Sequence, residues 1–160
     1  MRILALDLGT RTGWALFDNG ETQSGTWRLA TPKEIKAQAA AKRERCCDIR
    51  AGRLRSLIEG VGPVDRIYFE DVQFVGSVMQ VQLWSSLRAM LWLEACKTMA
   101  PRVVAVPVGT LKKFAGKGNA DKAYMARAAA ARGFFKSEAD DNEVDAWLLL
   151  QFAIQTDNTI

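Results

Sequence analysis

The chain begins with short apolar runs separated by polar turns. Ile3–Leu6 and Trp14–Phe17 are apolar, and the segment between them contains two glycines, so the pattern predicts two strands joined by a tight turn. Asp18–Glu21 has the composition of a hairpin turn. Thr22–Leu29 is therefore predicted as the third strand of an antiparallel meander, with a bulge at Gly25.

From Thr31 onward the pattern changes to helical spacing. Thr31, Pro32 and Glu34 occupy the positions of an N-cap, a first helical residue and a capping-box partner, so one helix is predicted from here to about Glu59. The faces of this helix that lack apolar residues carry a basic surface. It comprises Lys33, Lys36, Lys42, Arg43, Arg45, Arg50, Arg53 and Arg55. Such a surface is usually only solvated, and contact with phosphates is the alternative.

Strands and helices alternate in the rest of the chain. Val64–Phe69 and Val103–Val106 are predicted strands, and Met79–Met99 is a predicted helix between them that is apolar on more than one face. A short helix over Val108–Phe114, a helix starting at Asp121 and a last helix after an acidic stretch complete the order. With no internal repeat or linker, residues 1–160 are predicted to form one domain with a substantial core.

Acidic residues lie at three points next to apolar segments. Asp7 follows the first strand and Glu70 the fourth, and a carboxylate among apolar neighbours is costly unless it is paired or binds a metal. Capping of the first turn by Asp7 is the alternative. Asp141 and Asp145 are four residues apart and share a helical face. Helix capping could explain some acids in this stretch, but least readily Asp145, which directly precedes an apolar run.

Composition narrows the possible functions. The chain of 160 residues is 49% hydrophobic and 25% charged, and its net charge of +4 favours a polyanionic partner. It contains no His, which excludes His-based catalysis and argues against zinc. Cys46, Cys47 and Cys96 lack metal-like spacing and predict reduced thiols in a cytoplasmic protein. We see neither a secretory leader nor a membrane-spanning run and expect no membrane association.

A second basic region follows the fifth predicted strand. It contains Lys112, Lys113, Lys117 and Lys122 around two glycines, and it suits contact with a nucleic-acid backbone. Its glycine spacing does not match a nucleotide-binding signature, so no organic cofactor is expected.

The order of these elements and acids resembles the RuvC-type Holliday-junction resolvases of the ribonuclease H-like superfamily, in a phage-borne form. The matching residues are Asp7 in LALDLGTRTGWAL, Glu70 in IYFED and Asp145 in DDNEVDAWLLL, in order over nearly the whole chain. The family usually carries a fourth Asp or His at the position of Asn142. Either Asp141 replaces that ligand, or Asn142 coordinates through its carbonyl oxygen.

The resemblance implies a fold, a site and a substrate. The fold is an α/β, ribonuclease H-like domain, with a five-stranded mixed sheet of a β1-β2-β3 meander plus parallel β4 and β5. The site would hold two Mg²⁺ ions, with Mn²⁺ able to substitute, and would cut four-way DNA junctions in the host cytoplasm. Asp7 would bridge the ions, between Glu70 on one side and Asp141 or Asn142 with Asp145 on the other. The catalytic set is thus Asp7, Glu70, Asp141 and Asp145.

The resemblance also implies how branched DNA is engaged. Phe74 would stack on an unpaired base at the crossover, although packing of this aromatic ring onto the core is an equal alternative. A two-fold homodimer would match the symmetry of the junction. We expect its interface on the Met79–Met99 helix, with Leu87 or Leu91 facing outward.

Other functions share parts of this pattern. Sugar-kinase and actin-like ATPases also begin with DLGT, but they need two such domains and a second phosphate motif, for which this chain has no room. A related nuclease that acts on structured RNA and a non-catalytic protein that binds branched DNA remain alternatives. The acids do not distinguish DNA from RNA.

Overall fold

The computed structural model describes residues 1–41, 48–72, 76–97 and 102–157. Its strands form one sheet in the order β3-β2-β1-β4-β5, in which β1, β2 and β3 are antiparallel and β4 and β5 run parallel to β1. The predicted mixed sheet is confirmed. The strands are β1 (Arg2–Asp7), β2 (Arg11–Asp18), β3 (Glu21–Arg28), β4 (Arg66–Asp71) and β5 (Arg102–Pro107). The helices are α1 (Pro32–Ala40), α2 (Ile49–Val61), α3 (Val78–Lys97), α4 (Val108–Ala115), α5 (Lys122–Ala131) and α6 (Asp141–Asp157).

The sheet separates two hydrophobic layers. Side chains alternate between the faces of a strand, so β1 directs Ile3 and Ala5 to one layer and Leu4 and Leu6 to the other. The first layer contains α6, whose buried run Leu148–Leu150 packs on β1 and β2 together with α4 and α5. The second contains α2 and α3. Because Asp7 follows Ile3 and Ala5 in the alternation, it lies on the α6 side of the sheet.

The single helix predicted from Thr31 to Glu59 is wrong. Thr31 and Glu34 do form the expected capping box, but α1 ends at Ala40 and α2 begins only after Asp48. Asp48 has extended backbone angles and accepts a hydrogen bond from the backbone N–H of Arg50, so it caps a new helix. Residues 42–47, which include Cys46 and Cys47, lie outside the described residues.

Several cations of the basic surface on α1 and α2 are paired with carboxylates. Arg50 lies 2.7 Å from Asp48, and Arg55 lies 3.1 Å from Glu94. Arg53 hydrogen bonds to Glu34, which lowers the pKa of that carboxyl to about 2. Each pair reduces the charge that these helices present to a phosphate backbone.

The bulge predicted at Gly25 is absent. β2 and β3 pair in continuous register through Gly25, which lies opposite Trp14. A Cβ on Gly25 would lie 2.9 Å from Nε1 of Trp14, so the glycine makes space for the indole ring. That ring stacks on Trp27 with a centroid distance of 5.5 Å. The glycine therefore reflects aromatic packing across the strands.

The prediction that Leu87 or Leu91 faces outward from α3 is also wrong. Both are 0% exposed and pack against the sheet in the second layer. The exposed apolar side chains of α3 are Val78, Met79, Val81, Trp92 and Leu93. A helix that is apolar all round gives no periodicity from which its buried face can be read. No helix in the described ranges has the length and apolar character needed to span a membrane.

Candidate active site

Two parallel strands bring Asp7 and Glu70 together. Leu6 of β1 is paired with Phe69 of β4, so the next residues, Asp7 and Glu70, lie side by side at the ends of their strands. Both belong to the strand face that packs against α6, and Glu70 is buried. The predicted juxtaposition of these carboxylates is present.

Burial and repulsion govern the protonation of this pair. Burial raises the pKa of Asp7 well above its ordinary value, and the charges of Glu70 and Asp145 raise it further. Burial also raises the pKa of Glu70, although a hydrogen bond with Asp7 acts in the opposite direction. Such a bond between carboxyl groups requires one proton, and its effects on the two pKa values are opposite, raising that of Asp7 and lowering that of Glu70.

Asp145 joins the pair from the first turns of α6. Burial raises the pKa of Asp145 to about 7, and the charges of Glu70 and Asp141 contribute to the rise. Lys112 and Lys122 lower it, but by less. The structure therefore brings together the three acids that the sequence motifs single out, each from a different element.

Gly13 permits the close approach of α6 to the sheet. It lies opposite Asp7 in the β1–β2 register. A Cβ at Gly13 would be 1.8 Å from the backbone carbonyl oxygen of Asn142, which no side chain can tolerate. Because Gly13 has no side chain, the start of α6 rests directly on β2 beside Asp7. The sequence pattern explained Gly13 only as part of a turn.

The two candidates for a fourth ligand have different surroundings. Asp141 is exposed and lies 2.7 Å from Nζ of Lys122, and its charge also acts on Asp145. Asn142 is partly buried, with its backbone against Gly13. Asp141 therefore lies within the electrostatic reach of the site, and the choice between the two remains a prediction.

Sequence reasoning missed the roles of Asp140 and Glu143. Asp140 accepts hydrogen bonds from Thr26 Oγ1 at 2.6 Å and from the Glu143 backbone N–H at 3.0 Å, and it forms an ion pair with Arg11. Glu143 is only 4% exposed and accepts a hydrogen bond from Ser24 Oγ at 2.7 Å. The sequence contains both pairs, Ser24 and Thr26 two apart on a strand and Asp140 and Glu143 three apart at the start of a helix, but nothing in it indicates that the pairs meet.

The four predicted DNA-binding lysines occupy two settings. Lys112 is close enough to lower the pKa of Glu70 and of Asp145, and Lys122 pairs with Asp141. Lys113 and Lys117 are exposed, on α4 and in the turn that follows it. Phe74 lies outside the described residues.

The turn after β1 is closed by Thr12 and not by Asp7. Oγ1 of Thr12 donates to the carbonyl of Gly9 at 2.8 Å and accepts from its backbone N–H at 3.3 Å. Thr12 is fully buried. The alternative role of Asp7 as a turn cap therefore has no support among these contacts.

The carboxylates fit a divalent cation by their chemistry. Hard oxygen donors in a partly dehydrated site are what Mg²⁺ and Mn²⁺ prefer, and a bound cation would relieve the repulsion among Asp7, Glu70 and Asp145. In the described residues, no three Asp, Glu or Cys side chains are already spaced around one point as metal ligands.

Comparisons of sequence give no relatives: no known protein-family model and no curated protein matches the chain. Comparisons of structure do. The chain is similar to Thermus thermophilus RuvC in complex with a Holliday junction substrate, with a TM-score of 0.74 and 17% identity over 99% of this chain and 96% of that one. A second Thermus thermophilus RuvC structure matches with a TM-score of 0.70 and 17% identity over 99% and 97%.

A more distant likeness is to Ydc2, the yeast mitochondrial Holliday junction resolvase. Its TM-score is 0.57, with 12% identity over 92% of this chain and 75% of that one. The two RuvC structures match over nearly their full length, and the arrangement of sheet and helices is the same as the one described above. The chain therefore has the RuvC-type, ribonuclease H-like fold.

Proposed function

We propose that this protein is a metal-dependent endonuclease that cleaves phosphodiesters in branched DNA and resolves four-way junctions. One observation carries the proposal: Asp7, Glu70 and Asp145 converge from β1, β4 and α6 and interact electrostatically. A protein whose role is only structural gains nothing from bringing three carboxylates together in a wholly or partly buried setting. On a RuvC-type fold, these positions make a nuclease site the best-supported function.

The proposed chemistry uses these side chains as ligands. Bound Mg²⁺ ions would supply an activated water and stabilise the leaving oxygen when a phosphodiester is hydrolysed. Asp7, Glu70, Asp145 and either Asp141 or Asn142 would hold these ions. A carboxylate must be ionised to act as a metal ligand, so metal binding would compete with protonation of Asp7.

The lysines suit a role beside the scissile strand. Lys112 and Lys122 lie close to the carboxylates and would neutralise part of the local negative charge that repels a phosphate. Lys113 and Lys117 add exposed positive charge on α4 and in the turn that follows it. Contacts of this kind fix the position of a nucleic acid without reading its sequence.

A homodimer built on α3 would place two such sites in one particle. Trp92 is 47% exposed and Leu93 61% exposed, and Val78, Met79 and Val81 extend the exposed apolar surface toward the start of the helix. An exposed apolar surface of this kind usually marks an interface. Paired cuts on opposite strands need two sites at a fixed separation, which a two-fold axis supplies.

A comparison of substrates tests this function. The protein should cut a four-way DNA junction in Mg²⁺ or Mn²⁺ and stop cutting when the metal is chelated. Flap, duplex and hairpin-RNA substrates of the same length should be cut at least about 10-fold more slowly, which corresponds to about 1.4 kcal/mol of discrimination. Preferential cutting of the RNA would make this a structured-RNA nuclease. Binding of the junction without cutting under every metal would leave only a DNA-binding function.

A further inference from the structure

The acidic stretch around the start of α6 divides into two groups with different partners. Asp145 faces Asp7 and Glu70, whereas Asp140 and Glu143 are bonded to the edge strand β3. We propose that Thr26 and Ser24 of β3, acting through Asp140 and Glu143, are positioning residues that hold Asp145 against Asp7 and Glu70. This proposal rests on the proposed function, because the positioning serves catalysis only if these three carboxylates form the nuclease site.

Asp140 connects three parts of the structure at one carboxylate. Its Oδ1 accepts from Oγ1 of Thr26 and from the backbone N–H of Glu143, and its Oδ2 pairs with Arg11. The first of these bonds ties the carboxylate to β3, and the second caps α6. Because both oxygens are engaged, Asp140 is assigned to holding the helix and not to a metal.

Glu143 makes the second connection one helical turn later. Its Oε1 accepts from Oγ of Ser24 at 2.7 Å and from Nζ of Lys136 at 2.6 Å. Nζ of Lys136 also donates to the backbone carbonyl of Ser24 at 3.1 Å. Hydrogen bonds to an ionised group are the stronger class, and burial of Glu143 makes their loss costly.

The spacing of the two hydroxyls matches that of the two carboxylates, and we call Ser24, Thr26, Asp140 and Glu143 the clamp. Ser24 and Thr26 are two apart on β3 and therefore point to the same face, which is the face covered by α6. Asp140 and Glu143 are three apart and lie on one side of the helix start. Two hydroxyls thus meet two carboxylates in matching order.

The clamp opposes a force that acts on the same turn of helix. The charge of Glu70 acts unfavourably on that of Asp145, which favours separation of the start of α6 from the sheet. Gly13 leaves space for the approach but supplies no attachment. The buried run Leu148–Leu150 anchors the helix farther along. The bonds to Ser24 and Thr26 supply the attachment at the end that carries Asp145.

The test uses small changes on β3 that leave every acidic residue in place. The variants are Thr26→Val, Ser24→Ala and their combination, with Thr26→Ser as the conservative rescue. Thr22→Val is the matched control, because Thr22 lies on the same strand and is exposed. Three readouts are measured: Mn²⁺ affinity by electron paramagnetic resonance, kcat and KM for junction cleavage, and hydrogen exchange without metal over residues 140–147 and 148–157.

We expect the double variant to lose about 10–100-fold in Mn²⁺ affinity or kcat, the usual effect of removing an outer-shell partner of a metal ligand. KM should stay within about twofold, because the DNA surface is unchanged. Exchange should accelerate in residues 140–147 and stay unchanged in 148–157. Each single variant should show part of the loss, and Thr26→Ser should restore most of it.

If the double variant kept the hydrogen exchange, Mn²⁺ affinity and kcat of the wild type, the positioning role would be overturned. Equal damage in Thr22→Val would also overturn it, because the effect would then be a general weakening of β3. A wild-type protein that neither binds Mn²⁺ nor cuts DNA would overturn the proposed function. The exchange readout needs no metal, so it decides the positioning role even then.

Discussion

At the scale of single residues, burial and mutual repulsion determine the chemistry of the site. Asp7, Glu70 and Asp145 all have raised pKa values because each is wholly or partly removed from water, and neighbouring carboxylates add to the rise at Asp7 and Asp145. A proton compensates the repulsion at low pH, and a divalent cation can do so at neutral pH. The same repulsion that weakens the metal-free fold therefore creates affinity for a cation.

This repulsion gives the metal-free protein a specific dependence of stability on pH. The pKa of Asp145 is about 7 in the folded state against an ordinary 3.8, so the folded protein retains a proton that the unfolded chain releases. The free energy of unfolding should therefore fall as the pH rises through this window and level off above it. Asp145→Asn should reduce that slope, because only Asp7 and Glu70 then retain raised pKa values, and above the window it should stabilise the metal-free protein by about 1–3 kcal/mol.

Urea unfolding across this pH range, with a chelator present, measures the effect. At acidic pH the two proteins should have the same free energy of unfolding, because Asp145 is then protonated in both the folded and the unfolded state. Mg²⁺ should stabilise the wild type at neutral pH and have little effect on Asp145→Asn. If the free energy of unfolding depended on pH in the same way in the two proteins, the pKa of Asp145 would not be raised as predicted.

Gly13 is the second residue on which the site depends. Gly13→Ala places a Cβ on the backbone of Asn142 and must move α6, so it should cost about 1–3 kcal/mol of stability. Cleavage should fall more steeply than stability, because Asp145 moves with the helix. Gly52→Ala is the control, since nothing lies within 4 Å of its new Cβ. Thermal unfolding and cleavage rates of both variants provide the comparison, and a fully active Gly13→Ala would refute the role of this close contact.

At the scale of elements, hydrophobic pattern predicted the strands and most helices, because local alternation and spacing determine them. It failed where a single polar residue determines the start of a helix, as Asp48 does by capping α2. It also failed on α3, whose apolar character all round hides its buried face. The roles of Asp140 and Glu143 were invisible because their partners Thr26 and Ser24 lie 114 and 119 residues away in sequence.

The helix α4 and its following turn are predicted to carry the phosphate contacts. Lys113→Ala with Lys117→Ala should weaken binding to every DNA tested and reduce the slope of log affinity against log salt by about 0.9 per lost contact. Lys33→Ala with Lys36→Ala on α1 is the matched control with the same change of charge. Titrations of a junction and a duplex at several salt concentrations measure the slopes. An effect confined to the α1 pair would place the DNA surface on that helix instead.

At the scale of the whole molecule, the RuvC-type fold explains why residues distant in sequence form one site. Parallel pairing of β1 and β4 aligns Asp7 with Glu70, and α6 crosses the same face to bring Asp145 to them. α3 lies on the opposite face, where its exposed apolar side chains remain accessible to a second copy. One fold thus presents its carboxylates and its proposed dimer surface on different sides.

The dimer prediction is tested by one charge on α3. Leu93→Glu should yield a folded monomer that nicks junctions but loses coordinated cutting of both strands, because a buried unpaired charge disrupts an apolar interface. Phe135→Glu is the control, since Phe135 is 88% exposed and lies outside α3. Sedimentation and a supercoiled-cruciform assay separate the two effects. A wild-type monomer with full resolving activity would contradict the dimer and make the four-way junction the doubtful part of the proposed function.

The most direct test of the central claim is cleavage of a four-way junction by Asp7→Asn in Mg²⁺. The variant keeps the shape of the side chain and removes the charge at the centre of the carboxylate cluster. Asp18→Asn makes the same change at the far end of β2 and serves as control. We predict that Asp7→Asn folds, binds the junction with wild-type affinity and loses at least about 1,000-fold in cleavage, equivalent to about 4 kcal/mol of transition-state stabilisation. Cleavage by Asp7→Asn at close to the wild-type rate would show that these carboxylates are not the nuclease site.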